Sequence, residues 1–271
     1  MTFPTIKEIV ERYDLHPKKS LGQNFIFDLD LTDRIVQAAG DLDHKSVLEI
    51  GPGAGSLSRV ILDRNIKCLT ALEHDSRCIK ALSYLKKYYL DKFELIEIDA
   101  LRFKVADHFS EKVIIISNLP YNIGTELFFK WIDEIHLIDK MVLMFQKEVA
   151  NRLLASVGDN NYGKLSIVAD LFFDRYKHLD LPPEVFHPAP KVDSSVVVFK
   201  ANPTKYVFNY KRILQLISIS FSQRRKKIRN TISQILPNVD ELFELYKITK
   251  DARPQDLSTL DYVNLSNHIS K

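Results

Sequence analysis

Between residues 28 and 200, short apolar runs alternate with stretches whose apolar residues recur at three- and four-residue spacing. SVLEIG (46–51), IKCLTALE (66–73), FELIEIDA (93–100), VIIIS (113–117) and MVLMFQ (141–146) read as strands. Between them, Leu57, Val60 and Ile61, then Cys78, Ile79, Leu82 and Leu85, then Leu127, Phe128, Trp131 and Ile132, each mark one face of a helix. LTDRIVQAAG (31–40) is a further helix that stops at Gly40. Strands that are apolar at successive positions must be covered on both faces. A parallel sheet with helices on both sides does this, so the pattern predicts a doubly wound α/β fold.

The pattern changes after residue 181. LPPEVFHPAPKVDSS (181–195) holds four prolines and reads as a structured loop. SVVVFK (195–200) returns to a strand, antiparallel or at the sheet edge. From Phe208 onward only helical spacing remains. Two domains are therefore expected, 1–203 and a small all-α domain over 204–271. The chain's 271 residues suffice for both, with 45% hydrophobic and 27% charged residues in the ordinary globular range.

Composition narrows the class further. No apolar run approaches the roughly 18 residues of a membrane span. The N-terminal stretch has neither an apolar signal core nor an acid-poor, Arg-rich character, and only two cysteines are present. The expectation is a cytoplasmic protein without disulfides. The eight histidines show no metal-ligand spacing, so no metal is expected. Charge is uneven: residues 1–200 carry 26 Lys+Arg against 29 Asp+Glu, and residues 201–271 carry 12 against 6. The basic peak is SQRRKKIRN (222–230), with Arg224, Arg225, Lys226, Lys227 and Arg229. By itself it reads equally as a solvated helix face or as a phosphate-binding patch.

Polar residues gather where the predicted strands end. Gly51, Gly53 and Gly55 follow the first strand in a GxGxG turn that would let a ligand approach the backbone. The dinucleotide fingerprint would need glycine at 56, which is serine, and Pro52 removes a donor that a phosphate could use. Glu73 ends the second strand, 20 residues past Gly53, where an acid accepts ribose hydroxyls. The bland alternative is a solvated carboxylate. Asp99 ends the third strand. An acidic rim without a phosphate cradle suits S-adenosylmethionine, a cation without phosphate, better than a nicotinamide dinucleotide.

The fourth strand ends in SNLPYNIGT (117–125). An exocyclic amino group on adenine attacks poorly because its lone pair is delocalised into the ring. Two acceptors on its two N–H bonds would hold it and favour the pyramidal form. The side-chain oxygen of Asn118 can be one, and a backbone carbonyl near Pro120 the other. Tyr121 offers a flat face for the base.

Asn-Leu-Pro-Tyr is the hallmark of amino-directed methyltransferases, and the chain closely resembles the small-subunit (16S) ribosomal RNA adenine dimethyltransferases. The resemblance rests on KKSLGQNFIFD (18–28), VLEIGPGAGSL, LEHD, IDAL, NLPYNIGT, MFQKEVANRL (144–153), YGKLS (162–166), FHPAPKVDSSVV (186–197) and FSQRRKKIRN (221–230), in order. His74, Ile98 and Gly124 depart from the family's commoner residues. The resemblance implies a Rossmann-like sheet of seven mostly parallel strands. It implies that Asn24 and Ile26 close over the cofactor, Gly51 lies under it, Glu73 holds its ribose and Asp99 meets its adenine. Asn118 would link cofactor and target, with Leu119, Pro120 and Tyr121 shaping the target pocket and Phe186 stacking opposite Tyr121. Phe186 reads equally as a core anchor. The implied partner is 16S rRNA in the small subunit, met by a monomer through Arg224–Lys227 and Arg229. The implied reaction is N6,N6-dimethylation of two adjacent adenosines near the 3′ end. The nearest rival is a 23S rRNA adenine methylase of the erythromycin-resistance type. A non-catalytic assembly factor on the same fold is the other.

Overall fold

The computed structural model describes residues 3–15 and 23–269. Seven strands make one sheet: β1 (Ser46–Ile50), β2 (Cys68–Glu73), β3 (Phe93–Glu97), β4 (Val113–Asn118), β5 (Ile138–Gln146), β6 (Phe173–Leu181) and β7 (Ser194–Ala201). Their order is β3-β2-β1-β4-β5-β7-β6. β1 pairs in parallel with β2 and β4, β2 with β3, and β4 with β5, while β7 runs antiparallel to β5. The five strands expected from apolar runs are present. The return strand is antiparallel as expected, but it lies inside the sheet, and the edge on that side is β6.

The sheet forms because its central strands can satisfy backbone and side chains together. Every residue of β1 is buried, as are the first five of β4. Ile114, Ile115 and Ile116 are almost wholly covered, and each such side chain contributes about 1.5–3 kcal/mol by leaving water. Two helices on the sheet start at aspartate caps. Asp28 accepts the N–H groups of Asp30 and Leu31 ahead of helix Leu29–Gln37, and Asp75 accepts that of Arg77 ahead of helix Ser76–Tyr88. A two-stranded antiparallel ribbon joins Phe25–Ile26 to Phe186–His187. It lies partly in the proline-rich stretch that sequence reading leaves as a loop.

By contacts the chain separates into two compact units, residues 1–150 with 176–201, and residues 151–175 with 202–271. The expected division at 203 is linear, whereas residues 151–175 group with the C-terminal helices. The physical reason is visible inside that unit. Tyr162 is buried and its phenol donates to the Leu257 carbonyl at 3.0 Å. Asp170 accepts from both Arg175 (2.6 Å) and Lys205 (3.0 Å). The C-terminal part of this unit is all helical, with helices Tyr210–Phe221, Arg229–Ile232, Val239–Leu245 and Thr259–Ser266. Among the described residues no helix is long and apolar enough to cross a membrane, and no group of three or more His, Cys, Asp or Glu is placed to hold a metal ion.

Candidate active site

The chain leaves β1 for β2 on one side and returns to β4 on the other, so the carboxyl ends of β1 and β4 diverge at the switch in strand order. That is where doubly wound sheets bind ligands. A cleft of about 240 Å³ opens there. Asn24, Ile26, Gly51, Gly53, Glu73, Asp99 and Asn118, the seven residues expected to hold a cofactor, all line it, together with Pro120. The remainder of the motif around Asn24, residues 18–22, lies outside the described residues.

Glu73 is not a solvated carboxylate, being only 7% exposed. Its Oε2 accepts the Gly53 N–H at 3.1 Å, and its Oε1 accepts those of His74 and Asp75 at 2.8 Å each. Burial raises its pKa, against the opposing pull of these three donors. The carboxylate thus ties the glycine turn to the end of β2 and keeps lone pairs for a ligand. Gly53 is required for two reasons. Its φ is +57°, and a Cβ there would stand 2.7 Å from the Phe25 ring. Asp99 accepts the Leu101 N–H at 2.9 Å, which closes a turn after β3. Lys130, on helix Gly124–Asp133, holds that turn by donating to the Leu101 carbonyl at 2.6 Å.

At the end of β4, Asn118 donates through Nδ2 to the Asn24 carbonyl at 2.8 Å. The amide is half-buried and lines the cleft. That bond uses one of the two Nδ2 hydrogens and orients the amide, and Oδ1 is the acceptor it can offer a ligand. The Pro120 carbonyl accepts the N–H groups of Ile123 and Gly124, both at 3.1 Å, and so starts helix Gly124–Asp133. Tyr121 is half-buried, and its phenol bonds the Ser194 hydroxyl at 2.6 Å. Leu119 is buried and, like Tyr121, stands outside the cleft lining.

Phe186 is placed differently from the stacking role expected of it. It is 1% exposed and packs in the core with Ile26, Leu181, Val196 and Val198. Pairing opposite Ile26 in the ribbon turns it away from solvent. In this structure it anchors the proline-rich stretch. Sequence reading also misses Glu49, which lines the cleft at 1% exposure. A lone acid inside VLEI, on a strand buried on both faces, was the available signal. Burial pushes its pKa up to about 8, with Glu73 adding to the rise. A folded pKa above the unfolded one means that Glu49 costs stability as pH rises from the ordinary glutamate range to about 8. The melting temperature of Glu49→Gln relative to the unsubstituted protein should therefore climb across that window and level off above it. A flat difference in thermal scans between about pH 5 and 9 would contradict this.

The basic segment 222–227 is a turn between two helices, so the solvated-helix-face reading does not hold. Within its own unit three of the five cations are engaged. Arg224 donates to the Tyr162 carbonyl at 3.0 Å, Lys227 pairs with Asp251, and Arg229 pairs with Asp240 at 3.3 Å. Arg225 and Lys226 are exposed on the turn.

Three carboxyl groups, Glu49, Glu73 and Asp99, line the cleft, and no Lys or Arg does among the described residues. Such a site suits a cation that carries hydroxyl donors and is poor for pyrophosphate. A relative from Ehrlichia ruminantium (strain Gardel), a ribosomal RNA small subunit methyltransferase A, is 41% identical over 260 residues, 96% of this chain and 99% of its own. The crystal structure of a dimethyladenosine transferase from Plasmodium falciparum superposes with a TM-score of 0.75 at 29% identity, covering 89% of this chain and 95% of that one. The 23S rRNA methyltransferase ErmE shares the fold, with a TM-score of 0.71 at 21% identity over 91% of this chain and 99% of that one. Residues 15–271 match the model of the ribosomal RNA adenine dimethylases, and the chain belongs to that family.

Proposed function

We propose that this protein transfers methyl groups from S-adenosylmethionine to the N6 atoms of two adjacent adenosines near the 3′ end of 16S rRNA, acting on the small ribosomal subunit in the cytoplasm. The observation that carries this reading is Asn118, which lines the cleft at the end of β4 with its amide oriented by a hydrogen bond to the Asn24 carbonyl. The cofactor supplies an electrophilic methyl group. Glu73 holds its ribose, Asp99 its adenine, and the turn at Gly51 and Gly53 leaves room for its close approach.

Asn118 Oδ1 accepts one N–H of the target amino group. The Pro120 carbonyl is already occupied by the Ile123 and Gly124 N–H groups, so the second acceptor is another backbone carbonyl of the turn that follows β4. Two acceptors localise the nitrogen lone pair and stabilise positive charge as it develops there. The proton then leaves to water, so no side-chain base is needed. The Tyr121 ring, held by Ser194, supplies a stacking face worth about 1–3 kcal/mol. The target adenosine is taken from an unpaired segment, where extrusion costs least. The substrate assignment follows relatives: those named for the small subunit reach 41% identity, against 21% for the 23S enzyme.

The direct test supplies the purified protein with S-adenosylmethionine and under-methylated 30S particles, then reads the rRNA by mass spectrometry. N6,N6-dimethyladenosine in 16S rRNA is expected. Incorporation into 23S rRNA alone would favour the resistance-type methylase, and cofactor binding without incorporation would favour a non-catalytic factor.

RNA is contacted through the basic turn. Arg225 and Lys226 carry this most directly, since Lys227 and Arg229 already have anionic partners. Neutralising both should weaken subunit binding and shallow its salt dependence by about one to two units of log–log slope. Lys227→Ala and Arg229→Ala should do less. Filter binding over a salt series measures this, and an unchanged slope would remove the turn from the interface.

A further inference from the structure

Glu49 is the most anomalous polar group in the cleft. It sits within β1, on a strand that is buried at every position. Its Oε2 accepts the Ser58 hydroxyl at 2.6 Å, while Oε1 has no hydrogen-bond partner among the described residues. The groups around it offer no positive charge. Ser58 faces it from helix Ser56–Leu62, and Glu73 acts on it from β2 as a second anion. Its direct neighbour on β2 is Ala71, and the adjoining pairs on the β4 side join Val47 to Ile114 and Leu48 to Ile115. An apolar residue would serve β1 at lower cost, because a buried carboxyl with an empty acceptor is penalised whether neutral or charged. Glu49 lines the cleft assigned to the methyl donor.

We propose that Glu49 is a proton-exchanging receptor for a positive centre of the bound cofactor, standing as the carboxylic acid before binding and ionising as that charge arrives. The inference rests on the reading that S-adenosylmethionine fills this cleft. The step balances simply: the carboxyl O–H bond breaks, its proton passes to buffer, and the carboxylate so formed pairs with the incoming cation. Burial favours the acid form without ligand, since it pushes the group up to about 8. A cation beside Oε1 reverses that preference. Two centres can supply the charge, the sulfonium and the α-ammonium, and the demethylated product keeps only the second. If Glu49 meets the sulfonium, methyl transfer removes its counter-charge and the carboxylate regains a proton, which weakens the hold on product.

Calorimetric titration of the full chain with S-adenosylmethionine tests this. Proton release is read by repeating it in buffers of different ionisation enthalpy between about pH 6 and 9. The unsubstituted protein should release close to one proton near neutral pH and none at the alkaline end. Its affinity should rise by up to about tenfold per pH unit until about pH 8, then level if the sulfonium is the partner, or fall as the ligand's own α-amino group, ordinarily near 8, loses its proton if the ammonium is. Glu49→Gln should bind without proton release and with a flat profile. Ser58→Ala, which removes a partner that favours the anion, should keep the release and move its end to higher pH. S-adenosylhomocysteine identifies the centre. Equal release with both ligands assigns the ammonium, and release with the methyl donor alone assigns the sulfonium; both outcomes support the proposal. Binding without release by the unsubstituted protein overturns it. So does undiminished release in Glu49→Gln, which would move the titration to Glu73. Failure to bind either ligand at any pH overturns the cofactor reading itself, and is distinguishable because no heat is seen at all.

Discussion

Replacing Asn118 by alanine lowers the single-turnover rate of methyl transfer by about 10²–10³-fold, the scale seen when one preorganised hydrogen-bonding group at a reacting centre is removed. The reason lies in how the amide is held. Nδ2 is bound to the Asn24 carbonyl, so the side chain cannot rotate freely and Oδ1 is fixed before any ligand arrives. Alanine removes both the acceptor and the link to the Asn24 segment. The lost Nδ2 bond costs only about 0.5–1.5 kcal/mol of stability, so the fold persists and the loss reads as chemistry. Asn118→Asp separates the two roles. It keeps an acceptor but sets a carboxylate oxygen against the Asn24 carbonyl, so it should retain more rate than alanine while binding the cofactor less well. Rapid-quench kinetics with saturating cofactor is the measurement. A rate within a few-fold of the unsubstituted enzyme would sink the amino-clamp mechanism.

Glu73→Ala should be the most damaging change on the cofactor side, with a loss of S-adenosylmethionine affinity of at least about 10²-fold and a melting temperature lower by roughly 5–10 °C. Two effects combine here. A ribose loses its acceptor, and three N–H groups lose theirs, those of Gly53 and Asp75 buried and that of His74 partly so. Each unsatisfied donor costs about 1–3 kcal/mol before the turn relaxes. Glutamine is no remedy, because its NH₂ end would face one of those donors. Thermal scans and equilibrium binding separate the two parts. An alanine variant that melts normally and still binds the cofactor tightly would show that Glu73 holds neither turn nor ligand.

The cofactor side of the cleft was more legible in the sequence than the target side. β1, β2, β4 and β5 announce themselves as apolar runs because both their faces are largely covered, and in a parallel sheet the polar terminal residues converge on one edge. Gly51, Glu73, Asp99 and Asn118 could therefore be placed together from strand ends alone. β6 was missed because only its ends are buried. Phe173 and Leu181 are buried at its ends, with exposed or half-exposed residues between, so it has no apolar run to read. Glu49 was passed over because a single acid inside a strand looks like any other interruption until its burial and its unpaired oxygen are known.

The alternation of apolar strands and amphipathic helices, read from the chain alone, settled the doubly wound sheet and the edge at which its polar residues meet, because that periodicity is local and burial of both strand faces admits few arrangements. Tertiary structure alone decided which way side chains turn and what they are bonded to. Phe186 enters the core because it pairs with Ile26, distant in sequence. The Pro120 carbonyl is spent on the helix that follows it, and Lys227 and Arg229 are matched by Asp251 and Asp240. Pairing between remote segments leaves no periodic trace in sequence, and a hydrogen-bond partner is a fact of position rather than of residue type.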